Sequence, residues 1–121
     1  KLIEDEIIKN KLSNVILLSP VQREEVVKYI SLFDAMIIPL VKRSLFKITI
    51  PSKLYESMAA GIPAIVCVEG EAKKIVEEYS CGLFVEPENS SMLSEAVLKY
   101  YNNKKIRIEH GSNGRIAKLV Y

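Results

Sequence analysis

The densest chemistry in the sequence lies in Thr49-Ile50-Pro51-Ser52-Lys53-Leu54-Tyr55-Glu56-Ser57-Met58-Ala59-Ala60-Gly61-Ile62-Pro63. Its punctuation is that of a short helix. Thr49 or Ser52 can cap the start, Pro51 suits a first-turn position where its missing N–H costs nothing, and Gly61 with Pro63 ends it. Leu54 and Met58 then turn to a sheet, while Ser52, Lys53, Glu56 and Ala60 fall on the opposite side. The start of such a helix offers unpaired backbone N–H groups and partial positive charge, which suits a phosphate or diphosphate. Glu56, one turn further in, only accepts hydrogen bonds, and its two oxygens match the two hydroxyl donors of a vicinal diol such as ribose. Phosphate and diol together make a nucleotide. An ordinary exposed Lys53–Glu56 pair, stabilising the helix by a few tenths of a kcal/mol at about this spacing, fits the same residues.

Other reactive side chains carry less. Arg43 and Lys47 follow an apolar run and can attract phosphate or simply be solvated. His110 has no nucleophile or carboxylate beside it in sequence and reads as a surface residue. Tyr55, Tyr79, Tyr100 and Tyr101 are expected to pack a ring against the sheet with the hydroxyl in water. Cys67 and Cys81 are the only cysteines; they form no C-x-x-C pair and no zinc set with histidine, so they read as buried, reduced thiols and no metal is expected.

These groups must be positioned by something, and the hydrophobic pattern says what. Short apolar, β-branched runs at Val15 to Leu18, Ala35 to Ile38, Ala64 to Val68 and Leu83 to Val85 lack strict alternation and read as buried parallel strands. Between them, apolar residues recur at helical spacing around Val26 to Ile30, Leu54 to Met58, Ala72 to Tyr79 and Leu93 to Tyr100. A leading helix is expected over about Glu4 to Leu12 and a last one over about Lys104 to Lys118, the latter weakened by Gly111 and Gly114. Alternating strand and helix predict an α/β domain, a Rossmann-like, three-layer, doubly wound parallel sheet with its ligand at the carboxyl ends of the strands. No linker-like stretch divides residues 1–121, so one domain is expected.

The whole composition fits that architecture. The chain has 121 residues, 49% hydrophobic and 26% charged, with a formal charge of +2, which suits a globular domain. The basic residues are scattered among acidic ones, so no nucleic-acid footprint is seen. The uncharged run from Met58 to Val68 is too short for a membrane span and is broken by Gly61 and Pro63. Opening on Lys1, the sequence reads as a fragment of something longer.

The segment from Pro51 to Pro63 closely resembles the donor-site segment of group 1 (family 4) glycosyltransferases. The resemblance extends to Asn14-Val15-Ile16-Leu17-Leu18-Ser19-Pro20-Val21, to Asp34-Ala35-Met36-Ile37-Ile38-Pro39-Leu40, to Glu69-Gly70-Glu71-Ala72, to Cys81-Gly82-Leu83-Phe84-Val85-Glu86-Pro87, and to Gly111-Ser112-Asn113-Gly114-Arg115, and so covers nearly the whole chain. It implies the C-terminal, nucleotide-sugar-binding domain of the two-domain GT-B fold, with the acceptor domain lying N-terminal to it. It implies that Glu56 binds the donor ribose, that Ile50, Pro51 and Ser52 cradle the diphosphate with Lys53 as a candidate helper, that Ser19, Pro20 and Val21 lie by the base, and that Glu69, Gly70 and Glu71 lie near the sugar-phosphate. Catalytic residues are not expected within these 121 residues. The second acidic residue usual in the family, eight positions before the glutamate, is here Ile48; a threonine-isoleucine-proline-serine-lysine subgroup shares that departure.

By the same resemblance the whole enzyme is a retaining, metal-independent transferase using a UDP- or GDP-sugar without a cofactor. It would be cytoplasmic, at the inner face of the membrane, with a glycan or lipid-linked acceptor as in cell-surface polysaccharide synthesis. Three other readings share the fold: a non-enzymatic nucleotide or effector-binding module, an interaction domain, and a nucleotide-sugar epimerase domain. The proline-serine-lysine helix start favours the transferase.

Overall fold

A computed structural model describes residues 2–120. Apolar strand segments and amphipathic helices alternate as expected. The order is α1 (Leu2–Lys9), α2 (Arg23–Ile30), β1 (Met36–Pro39), a 3₁₀ turn (Ser44–Lys47), α3 (Ser52–Ala60), β2 (Ala64–Cys67), α4 (Glu71–Glu78), β3 (Gly82–Phe84), α5 (Ser90–Asn102) and α6 (Lys104–Lys118). The three strands form one parallel sheet in the order β1-β2-β3. Met36 pairs with Ala64 and Pro39 with Cys67; Ala64 in turn pairs with Gly82 and Val66 with Phe84.

Side chains on a strand alternate between faces, and this splits the core in two. Ala64 and Val66 of β2, with Met36 and Ile38 of β1, meet Ile30, Leu54, Met58, Ile75 and Val76 from α2, α3 and α4. Ile65 and Cys67 turn to the other face, where Ala96 and Tyr100 of α5 cover them. All of β2 is buried, which is why it reads as an unbroken apolar run. The result is the three-layer α/β architecture.

One expected strand is absent. Residues 15–18 have no regular structure, and Ile16 is 82% exposed. A strand exists through its ladder, and here β1 is the edge of the sheet without a partner beside it among the described residues. The apolar run supplies β propensity without a ladder. The leading helix is confirmed, placed slightly earlier than expected at Leu2–Lys9.

α6 runs unbroken through both of its glycines. Gly111 and Gly114 are buried and let α6 approach α3 and the end of the preceding chain: a Cβ on Gly111 would lie 2.2 Å from the carbonyl oxygen of Gly61, and one on Gly114 would lie 3.4 Å from Cα of Met58. The lost helix propensity is exchanged for close packing.

His110 is also corrected. It is half-buried, with Nδ1 2.7 Å from Oη of Tyr100 and the rings edge to face. The Tyr100 hydroxyl is thus not in water; the side chain is 2% exposed and burial raises its pKa. In the Nε2–H tautomer of the neutral ring, the hydroxyl donates to Nδ1. Burial lowers the His110 pKa below its ordinary 6.5, so the unfolded chain binds the proton first as pH falls. The His110 contribution is therefore complete above pH 6.5 and is lost as pH drops towards the lowered folded value. Urea midpoints measured from pH 8 to pH 5 should decline below that point, and His110→Phe should remove this part of the decline.

Both thiols are buried as expected, and burial pushes Cys81 up to about 11. Almost none of it is thiolate at neutral pH, so it is chemically quiet.

Candidate functional site

β1 delivers the chain to the carboxyl edge of the sheet, and residues 40–51 return it to the start of α3. Thr49 does not cap this helix. Its hydroxyl donates to the carbonyl of Leu45 at 2.9 Å, closing the 3₁₀ turn, while Pro51 occupies the N-cap position and Ser52 is already the first helical residue. No side chain caps α3; the Leu54 N–H donates to the Pro51 carbonyl at 3.0 Å, while those of Ser52 and Lys53 keep their capacity to bind an anion. The other end is closed by Gly61, left-handed at φ 73°.

α3 has two faces, as its spacing demands. Leu54, Ser57 and Met58 are buried, and the Ser57 hydroxyl donates to the carbonyl of Ile62 at 2.6 Å. On the opposite face the Lys53 ammonium lies 3.2 Å from the Glu56 carboxylate. The two side chains are 54% and 36% exposed, so this pair contributes little to stability. Glu56 keeps one oxygen outside the pair.

That face forms one wall of a groove of about 900 Å³, within the range of small-molecule sites. Ser52, Lys53, Glu56, Ala59 and Ala60 come from α3; Val21, Arg23, Val26, Val27 and Ile30 form the facing wall; and Arg115 of α6 joins them. The groove thus gathers four of the sequence-predicted residues, Val21, Ser52, Lys53 and Glu56. Ser19 and Pro20 lie in the irregular segment just before it and do not line it, and Ile50 and Pro51 are half-buried in the approach to α3.

Glu69, Gly70 and Glu71 form a second group, where β2 reaches the same edge of the sheet. The Glu69 carboxylate lies 3.5 Å from the Lys47 ammonium, so Lys47 is tied to the expected sugar-phosphate segment instead of being merely solvated. Gly70 is the N-cap of α4 at φ 90°, ψ −132°. Glu71 pairs with Lys74 at 3.2 Å on the surface of α4. Across the edge, the Lys42 backbone N–H donates to the Glu88 carboxylate at 2.8 Å, linking the loops after β1 and β3. Arg43 precedes the 3₁₀ turn and lines neither group.

Two charged groove residues escaped the sequence reading. Arg115 is brought in by the packing of α6 on α3, which no local pattern announces. Arg23 had a local signal, a cation in the first turn of the helix after Val21, where the macrodipole opposes it.

Residues 1–117 match the family described as glycosyl transferases group 1. The chain belongs to that family. An uncharacterised glycosyltransferase of Methanocaldococcus jannaschii is 29% identical over 115 residues, which is 95% of this chain and 31% of that protein. Among solved structures, sucrose-phosphate synthase from Thermosynechococcus elongatus superposes with a TM-score of 0.83 at 22% identity, covering 98% of this chain and 29% of its own. That likeness shows the fold, that of the C-terminal domain of a GT-B transferase. The chain therefore spans about a third of the length of these proteins. Among the described residues no helix is long and apolar enough to cross a membrane.

Proposed function

We propose that these residues form the nucleotide-sugar-binding part of a retaining glycosyltransferase, which moves a hexosyl group from a UDP- or GDP-sugar to a glycan or lipid-linked acceptor. The observation that carries the reading is Glu56: a partly exposed carboxylate one turn inside an uncapped helix start, facing a groove large enough for a nucleotide. In this reading its carboxylate accepts from the ribose hydroxyls, the first-turn N–H groups of α3 and Lys53 hold the diphosphate, and Ser19 to Val21 flank the base. Glu69 to Glu71 face the sugar-phosphate. Transfer then rests on stabilising the leaving diphosphate without a metal ion. The acceptor would be held by a domain N-terminal to this one, and this portion alone would bind donor without transferring sugar. The reading places the enzyme in the cytoplasm, with peripheral docking at the inner membrane face.

Calorimetric titration with UDP, GDP and ADP tests it. One nucleotide should bind saturably, and Glu56→Ala should weaken it at least tenfold, since each charge-assisted hydrogen bond contributes about 1.5–3 kcal/mol. The same substitution should change the unfolding free energy by less than about 0.5 kcal/mol, because the Lys53 pair is exposed. Undiminished binding by the Glu56→Ala protein contradicts the proposed role.

A further inference from the structure

α6 carries five of the seventeen lysines and arginines but one of the fifteen acidic residues. Two of the five cations serve the fold. The Arg107 guanidinium donates to the carbonyl of Tyr100 at 3.0 Å, and the Lys118 ammonium stands 5.2 Å from the centre of the Tyr55 ring. No ion pair joins Lys104, Lys105 or Arg115 to a carboxylate among the described residues. Lys104 and Lys105 stand in the first turn of α6, which holds no acidic residue. Their charges oppose the positive end of the macrodipole and weaken the helix that carries them.

Helical geometry gathers these cations on one side. Gly111, Gly114 and Ala117 are buried on the inner side of α6. The side turned away from them presents Lys104, Lys105, Ile108, Arg115, Ile116 and, at the helix end, Leu119. Ile108, Ile116 and Leu119 are 59%, 63% and 87% exposed, and Glu109 is the one acid beside them. Aliphatic chains set between cations on a convex helix face match an anionic lipid surface: the cations meet phosphate headgroups while the aliphatic chains enter the acyl boundary. A nucleic acid is met by exposed aromatic rings that stack on its bases, and α6 holds no Phe, Tyr or Trp. A peptide helix is met by a groove, which this convex face does not form.

We propose that the outer face of α6 is a docking surface for an anionic phospholipid bilayer. The inference gives the peripheral docking of the reading above a place on this chain and rests on that part of it alone, since Lys104 and Lys105 line no part of the groove. Arg115 borders both the face and the groove, so docking through α6 sets the groove beside the lipid surface.

Cosedimentation with vesicles of phosphatidylcholine alone, and of equal parts phosphatidylcholine and phosphatidylglycerol, tests this. The native protein should bind the anionic vesicles in preference to the neutral ones, and added salt should weaken the binding by screening the attraction. Lys104→Glu/Lys105→Glu should weaken it about twentyfold or more, each lost cation contributing about fivefold. Its thermal midpoint should stay level or rise, because acids suit a helix start. Ile108→Ser/Ile116→Ser should weaken vesicle binding while leaving binding to polyphosphate, a soluble polyanion, unchanged. No preference for anionic vesicles, or native-level binding by the lysine double variant, overturns the assignment. Native-level vesicle binding by the isoleucine double variant marks a general anion patch and overturns it as well. Lys104→Glu/Lys105→Glu should bind UDP or GDP as the native protein does, so a failure of nucleotide binding bears on the donor-site reading and a failure of vesicle binding on this inference.

Discussion

Replacing Gly70 with alanine should destabilise the protein by about 3 kcal/mol or more, the range in which backbone strain and steric overlap combine. Two effects add at this position. Its φ of 90° and ψ of −132° lie in the mirror image of the β region, which residues with a Cβ rarely enter. A Cβ there would also sit 2.1 Å from the carbonyl oxygen of Lys47. That oxygen belongs to the 3₁₀ turn, so relief requires moving the loop that carries Lys47 away from Glu69. Asparagine, which tolerates the left-handed helical region, gives no relief at this ψ. Equilibrium urea unfolding checks the prediction: a Gly70→Ala midpoint close to that of the native protein would show that the loop yields freely and that the Lys47–Glu69 junction is not rigidly held.

Gly111→Ala should likewise destabilise, by about 2–4 kcal/mol, although alanine in an exposed helix interior is the better residue by about 1 kcal/mol. The sign is decided by contact. The new methyl would stand 2.2 Å from the Gly61 carbonyl oxygen and 3.3 Å from the Pro63 ring, both in the tight connection that ends α3 and starts β2. α6 would have to lift off α3, disturbing Gly114 and Ala117, which are buried along the same stripe. Thermal unfolding would show a raised midpoint if propensity won and a midpoint lowered by several degrees if packing wins.

These glycines show where local reading stops. Read along the chain, Gly111 and Gly114 weaken a helix; read in space, they are what allows α6 to close on α3. The segment from Ser52 to Ala60 was legible because everything that defines it is local: the apolar pair four apart, the polar face opposite, the proline before and the glycine after. β2 was legible because burial on both faces leaves an uninterrupted apolar run. Residues 15–18 have the same composition, but a strand is specified by its neighbour as much as by its own residues. In a doubly wound sheet, strands consecutive in sequence are not adjacent in space where the strand order reverses.

The site divides in the same way. Lys53 and Glu56 meet at three residues' separation on one helix, so their pairing follows from helical geometry. The junctions Lys47–Glu69 and Lys42–Glu88 depend on loops brought together by parallel strands, and nothing in the spacing of those residues signals them. His110 lacked a neighbour in sequence and found one in Tyr100, across the connection between α5 and α6.

The central claim, that the Glu56 carboxylate holds a donor ribose, is tested most directly by removing each half of the contact in turn. UDP and GDP and their 2′,3′-dideoxy counterparts are titrated into the native protein and into Glu56→Ala. Loss of the two hydroxyls should weaken binding to the native protein about tenfold or more, while the Glu56→Ala protein should bind the ribose and dideoxyribose forms alike, the two losses being one and the same interaction. If the Glu56→Ala protein still prefers ribose by the native margin, the diol is held elsewhere and the assignment of Glu56 is wrong.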